Sequence, residues 1–365
     1  MPRAQLTNTT EPPGSLITRD GQIQWAGLLF GPGTDYEIAD GGLTGWADLP
    51  GLDSGDVLRP DQHGAWPGAQ WAQARTVTAP IWLLPDQRDQ AAAVARRFRT
   101  ATSVHAGEQW LAVRLHGETL ACLARVSQRA IPHDRMYVTR GAAKATVQWV
   151  CADPRRFALA VQSVRTGLPS PETGLTWERP PAQKPDPNQP PPTPDHETRP
   201  GGAPVPGPNP AAAATNPAPT GPAPTGPAPS APGLTWPLGW GTARSTGLVT
   251  AFNGGDAPAN PVVEFRGPVS GPSLTRLSDG LRLEYDIVLA PSDVLTVDTG
   301  AGTVLLNGTT SRIHTASVWS TPEQLFQLEP GQNTLSFRCA SKPGGAPAAD
   351  QPQPSATVIW RDAHW

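Results

Sequence analysis

At 365 residues with a net charge of -3, the chain has no positive excess with which to hold nucleic acid or an anionic membrane surface. Only 16% of it is charged, while 45 prolines and 37 glycines point to loop-rich β structure and away from global disorder. Its three cysteines, Cys122, Cys151 and Cys339, are odd in number and lack C-x-x-C spacing, so they read as buried thiols and suggest neither a disulfide framework nor a zinc site.

No apolar run approaches the roughly 20 residues that cross a bilayer, and residues 1–22 lack the basic and then apolar pattern of a secretory signal. The expectation is a chain made in the cytoplasm and not inserted in a membrane. Gln22-Ile23-Gln24-Trp25 alternates as a half-buried strand does, and Gly31-Pro32-Gly33 stops it. From Gly41 to Gln70, glycine, proline and aspartate recur every few residues around Trp46, Trp66 and Trp71. That is loop spacing. Long loops within a domain tend to be functional, and large aromatics on them bury either beneath the loop or against a partner. Trp46, Trp66 and Trp71 are therefore candidate subunit-interface residues.

Arg75 to Leu83 reads as a strand whose Pro80 requires an edge or a bulge. Asp86 is the expected N-cap of a helix with Ala91, Val94, Ala95 and Phe98 on one face. Arg96, Arg97 and Arg99 suit the C-terminal end of its dipole. Residues 110–115 and 120–126 form a hairpin about His116-Gly117-Glu118, and a further strand pair, 136–139 and 145–151, flanks Gly141. Asp153-Pro154 then makes a turn, because proline bars the helical region to the residue before it.

Gly174-Leu175-Thr176-Trp177 is repeated at Gly233-Leu234-Thr235-Trp236, and roughly a third of the residues between are proline. Ordering costs about 1 to 2 kcal/mol per residue. Against that, Glu178 to Pro232 offers one sizeable apolar side chain, Val205, whose burial returns about 1.5 to 3 kcal/mol. The tract is expected to be an extended, polyproline-like connector, reaching roughly 170 Å at about 3.1 Å per residue. It divides the chain into an N-terminal domain of residues 1–177, a Pro-rich flexible linker of 178–232 and a C-terminal domain of 233–365. In the last, short strands follow at roughly ten-residue spacing, as in a sandwich: 248–252, 262–266, 281–289, 294–298, 303–306, 334–338 and 357–361. Asn307-Gly308 is a tight hairpin turn, and Leu281, Leu283, Tyr285, Ile287 and Leu289 alternate with polar residues, giving that strand one dry face.

Phosphate-loop, dinucleotide, zincin and nucleophile-elbow patterns are missing from the sequence. Asp61-Gln62-His63 and His133-Asp134 come nearest to an acid/base or metal pair, and each lacks a third partner at usable spacing. The reading is a non-enzyme with no catalytic, cofactor or metal residues. His314 and Trp319 are candidate glycan contacts, set against the structural roles such residues more often fill. Asn8-Thr9-Thr10 and Asn307-Gly308-Thr309 fit the glycosylation sequon, which has no consequence without secretion.

An ordered series of motifs runs along the chain. It starts with Trp25-Ala26-Gly27, Arg75-Thr76-Val77-Thr78, Val147-Gln148-Trp149 and Asp153-Pro154-Arg155, followed by Gly167-Leu168-Pro169 and Gly174-Leu175-Thr176-Trp177. It continues through Phe252-Asn253-Gly254-Gly255, Pro261-Val262-Val263, Gly267-Pro268 and the run Pro330 to Leu335, and ends at Trp360-Arg361-Asp362-Ala363. In these residues the chain resembles phage distal tail proteins of the siphovirus-type tail component family. The resemblance implies a mainly β protein: an N-terminal tail-tube-like β domain with one helix, then a C-terminal galectin-like β-sandwich. It further implies a homo-oligomeric ring, a hexamer, at the virion tail tip, assembled in the host cytoplasm. Implied partners are the tail tube protein, a tail-tip hub or tail-associated protein, and a receptor-binding protein. The Pro-rich tract departs from that pattern. A carbohydrate-binding module, or a minor tail protein adhering to host surface glycans, is the alternative.

Overall fold

The computed structural model describes residues 11–170, 245–341 and 352–365. Both Gly-Leu-Thr-Trp copies, the Pro-rich tract between them and the first sequon lie outside these. The described residues are mainly β and gather into one unit around two hydrophobic cores.

The first core lies within a curled sheet. Its strands run in the spatial order Leu28–Phe30, Ile23–Trp25, Gln109–Leu115, Glu118–Ala130, Ala143–Cys151, Arg75–Leu83 and Tyr36–Ile38. The two end strands approach each other, since the Gly31 amide donates to the Tyr36 carbonyl at 2.7 Å. The helix Ala91–Ala101 lays Val94, Ala95, Phe98 and Ala101 against this sheet. Phe98 stacks on Tyr36 and meets Phe30 edge-on. Trp25 meets Trp149 edge-on, and its indole N–H donates to the Ala101 carbonyl at 2.8 Å, fastening the helix end to the sheet. The Trp25-Ala26-Gly27 motif thus joins a core anchor to a two-residue hairpin turn with positive φ at both Ala26 and Gly27.

Burial, with Asp35 adding to it, pushes the Tyr36 hydroxyl up to about 12, while that group donates to the Val94 carbonyl at 3.0 Å. An unfolded tyrosine ionises near 10, so this stabilisation is complete below about pH 10 and is lost as pH rises towards 12, on the order of 2 to 3 kcal/mol. Denaturant unfolding between pH 9 and 12 should show a shallower decline for Tyr36→Phe than for the parent chain.

Several local expectations are corrected. Gln22 and Gln24 are buried, because residues 11–19 cover their side of the sheet. Gln22 Oε1 accepts from the Thr18 and Arg19 amides, and Gln24 Oε1 from that of Leu16. Residues 135–140, expected in part as a strand, form a one-and-a-half-turn helix. Asp134 Oδ1 caps it by accepting from the Tyr137 amide, and Gly141 closes it at φ 76°. The main helix starts at Ala91 after a 3-10 turn over Arg88–Gln90, so Asp86 does not cap it. Pro80 lies where pairing with the outer neighbour lapses, between Ile38↔Ile81 and the isolated bridge Thr44↔Thr78, so its missing N–H breaks no ladder.

The second core lies between two facing sheets. One is ordered Gln162–Gly167, Ser355–Trp360, Val262–Arg266, Val294–Asp298, Thr303–Leu306 and Thr310–Ser311. The other is ordered Leu248–Asn253, Gly331–Ser341, Val269–Arg276 and Arg282–Glu284, with Val288–Leu289 beside the third. Leu283, Tyr285 and Leu289 are buried as the alternation requires, although the ladder breaks after Glu284 and Tyr285 bridges Ala316 instead. The Tyr285 hydroxyl donates to Glu323 at 3.1 Å inside the core. Two of the longer sandwich strands escape the sequence reading. Val269–Arg276 carries Gly271 at φ 60° and Pro272, and Gln162–Gly167 precedes the Pro-rich tract yet pairs along its whole length with Ser355–Trp360.

The two cores are linked by paired backbone. Arg156–Ala158 extends the first sheet beside Glu118–Ala130 and also pairs with Ala363–His364 at the C-terminal end of the sandwich. Arg155 Nη1 reaches the Pro258 carbonyl at 2.6 Å, and the Ala158 amide donates to the Asp362 carbonyl at 2.9 Å. Ala158 packs against the first core, while Phe157, Val164 and Leu168, all ahead of the tract, pack against the second.

Candidate assembly interface

The stretch expected as a loop around three tryptophans separates into two parts with different environments. In residues 44–50, Trp46 packs down on the first core. Trp46 is buried there, 2% exposed, with the Arg156 guanidinium 5.9 Å from its ring. The segment is held by Arg75, which is itself buried. Arg75 Nη1 donates to the carbonyls of Gly45, Trp46 and Asp48 at 2.8, 2.9 and 2.6 Å. Its Nε donates to the Pro154 carbonyl at 2.7 Å, which ties the Arg75 motif to the Asp153-Pro154-Arg155 motif. Burial and the neighbouring Arg156 lower the proton affinity of Arg75, but a guanidinium stays charged in a protein.

Residues 51–73 form a separate arm of two short ladders, Leu52–Ser54 with Gln70–Ala72 and Val57–Leu58 with Ala65–Trp66. Asp56 pins the crossing between them, with Oδ1 accepting from the Gly68 amide at 2.8 Å and Oδ2 from the Ser54 hydroxyl at 3.1 Å. Gly68 is required there, since a Cβ would stand 2.3 Å from the Gly55 backbone. The apolar side chains of the arm lie outside the first core. Leu58 is 80% exposed, Trp71 70% and Trp66 59%, Leu52 and Val57 are exposed beside them, and Leu49 is exposed just ahead of the arm. The guanidinium of Arg59 covers one face of Trp66 at 4.3 Å. A fully buried aromatic contributes 150 to 250 Å², so the two tryptophans alone leave on the order of 200 to 300 Å² of mostly apolar area in water. A ladder this short does not hold itself together in water without packing.

His314 and Trp319 lie five residues apart in the loop that follows Thr310–Ser311 and runs along Arg282–Glu284. Both are exposed, Trp319 at 74%, and Val318 beside it is 92% exposed. Of the two pairs considered for chemistry, one has structural employment. Asp134 is a helix cap, and His133 packs edge-on against Tyr137. Asp61 and His63 lie exposed at the arm tip. A cleft of about 700 Å³ opens between the outer faces of the two bodies, lined by Trp110, Phe157, Val262 and Trp360. Its carboxylates are engaged, Asp153 with Arg155 at 2.7 Å and Asp298 with the Ala301 amide at 2.8 Å. Among the described residues, no three His, Cys, Asp or Glu side chains gather as a metal site.

With the geometry established, residues 254–345 match the family model described as siphovirus-type tail component, C-terminal domain. The resemblance to that family is thereby shown. No curated protein matches the chain in sequence. In structure the chain is similar to the Dit protein of phage SPP1, described as a paradigm of the hub adsorption apparatus in phages infecting Gram-positive bacteria. That likeness has a TM-score of 0.52 at 10% identity, and covers 94% of this chain and 98% of that one. Chains from the phage p2 baseplate in its activated conformation, with calcium or strontium, align at a TM-score of 0.42 and 9% and 8% identity, over 93% of this chain and 97% of theirs. Of the motif series, Gly254-Gly255, Pro261-Val262-Val263, Gly267-Pro268 and Pro330 to Leu335 fall inside the matched tail-component segment.

Proposed function

We propose that this protein is a structural subunit of a phage tail tip, a homo-oligomeric ring that joins the tail tube to the tail-tip and receptor-binding apparatus. The observation that carries the reading is the arm of residues 51–73, a folded element whose largest apolar side chains all face water in the isolated chain. Burying them against the next copy would complete the arm. Repeating that head-to-tail contact closes a ring, provided that the rotation between copies closes; a hexamer, the number given by the family resemblance, is the expected size. Interfaces of this permanent kind bury roughly 2,000 Å² or more. Trp66 and Trp71 are its proposed anchors, while Trp46 serves the fold. The tail tube protein, a tail-tip hub protein and a receptor-binding protein are the proposed neighbours within the virion.

Anchoring tryptophans at such contacts carry about 2 kcal/mol or more each, roughly thirtyfold in affinity. The double variant Trp66→Ala/Trp71→Ala is therefore expected to run as a monomer in light scattering at concentrations where the parent chain is a ring. Its melting behaviour at high dilution should be unchanged, because neither side chain touches a core. A variant ring of parental mass would remove the arm from the interface.

The glycan-adhesion reading has one observation in its favour, the exposed Trp319 and His314 in one sandwich loop. Binding of the full chain to an array of cell-wall glycans, lost in Trp319→Ala, is what it requires. An array without signal would remove that reading.

A further inference from the structure

The first core holds two thiols that the tail-tip reading does not use. Cys122 Sγ and Cys151 Sγ lie 2.9 Å apart, and both side chains are fully buried. Cys122 sits in Glu118–Ala130, and Cys151 ends Ala143–Cys151. Pairing between these strands stops at Arg125↔Val150, and the earlier half of Glu118–Ala130 pairs instead with Arg156–Ala158 through Ala121↔Phe157. The sulfurs therefore face one another just beyond the last rung of that ladder, where Glu118–Ala130 exchanges one neighbour for the other. Arg75, paired with Cys151 across the adjacent ladder, brings a buried guanidinium whose Nη2 has no hydrogen-bond partner, and its charge lowers the proton affinity of the Cys122 thiol against the other influences on it. The hydrogen bond with Cys151, and then burial, hold the Cys122 thiol protonated in the reduced protein.

We propose that Cys122 and Cys151 are a disulfide-forming pair, reduced while the chain is in a reducing cytoplasm and cross-linked once it meets an oxidant. The oxidant is a low-molecular-weight disulfide. In a local opening, one protein sulfur, as thiolate, attacks its S–S bond and releases one small thiolate; the second protein sulfur attacks the mixed disulfide and releases the other. Two S–H bonds are lost from the protein, one S–S bond is gained, and the oxidant is reduced to two thiols. Closing from 2.9 Å to a bonded distance near 2.05 Å moves the sulfurs together by under about 1 Å. The bond would span 29 residues of sequence, including the helix Arg135–Arg140. The end of that ladder would gain a covalent tie.

The test uses the full chain equilibrated with glutathione disulfide, acid-quenched, alkylated under denaturing conditions and digested without reductant. The expected product is a Cys122–Cys151 linked peptide, two hydrogens lighter than the two thiol peptides together. Its melting temperature should exceed that of the dithiothreitol-treated chain by roughly 5 to 10 °C, a difference that disappears in Cys151→Ala. Recovery of Cys122 and Cys151 as alkylated thiols, or linkage of either to Cys339, would overturn the proposal. Since oxidised and reduced forms are compared on the unsubstituted chain, a variant that fails to fold does not decide the outcome.

Discussion

Replacing Arg75 with methionine is expected to remove about 3 to 5 kcal/mol from the stability of the fold, among the larger effects available to a single side chain. Methionine keeps the length of the apolar stem and removes every donor. Four carbonyls, those of Gly45, Trp46, Asp48 and Pro154, then lose the group that satisfies them. Each buried acceptor without a donor costs on the order of 1 kcal/mol or more. The local backbone cannot rearrange freely to compensate, because the Cβ position of Gly45 lies 1.9 Å from the Thr76 carbonyl, so this loop runs hard against its neighbouring strand. Arg75→Lys separates charge from geometry. A lysine is equally cationic but cannot place donors on opposite sides of a planar fork, so it should recover less than half of the loss. Denaturant midpoints measure the cost, and quenching of tryptophan fluorescence reports release of Trp46. Full stability in the lysine variant would show that the positive charge matters and the fork does not.

The same residue shows how far the sequence could be read. Arg75 opens a strand whose extent and inward face were legible from Val77, Ile81 and Leu83, because period-two alternation is a local signal. Its guanidinium was not legible, since its partners lie 27 to 79 residues away and are backbone atoms, which leave no mark on sequence. The buried glutamines escaped for a related reason. Alternation marks Gln22 and Gln24 as a wet face, and only the covering segment 11–19 makes that face dry. Proline and glycine misled in the sandwich, where Val269–Arg276 accommodates Gly271 and Pro272 while pairing with Gly331–Ser341. For the candidate interface, composition singled out the stretch but could not divide Trp46 from Trp66 and Trp71. All three are set among glycine and proline, and only the Arg75 clamp pulls the first inward.

Asn253→Asp is expected to destabilise the sandwich by about 3 kcal/mol or more at neutral pH, despite changing one atom. Asn253 is 1% exposed and uses both ends of its amide. Its Nδ2 donates to the Ala257 and Leu328 carbonyls at 2.8 and 3.2 Å, and its Oδ1 accepts from the Gly255 and Ala363 amides at 3.2 and 3.3 Å. Aspartate keeps the acceptor and turns the donor into a buried, charged oxygen facing two carbonyls. Burial and those carbonyls would raise the carboxyl pKa above its usual value. The unfolded variant ionises at the lower, ordinary value, so the ionic part of the deficit should be largest above the raised pKa, shrink as pH falls from it, and vanish below the ordinary value. An acidic pH that narrows the gap is thus part of the prediction, and a gap independent of pH would argue for loss of shape alone. The damage should also travel. Ala363, held by Asn253, pairs with Phe157 of the first body, and the backbone beside Gly255 approaches Ala363 so closely that a Cβ there would lie 1.8 Å from its carbonyl. Hydrogen exchange at the amides of Ala257, Ala363 and Ala158 should therefore accelerate together in the variant, because the Asn-Gly-Gly motif closes the sandwich and, through the same strand, fastens it to the neighbouring sheet.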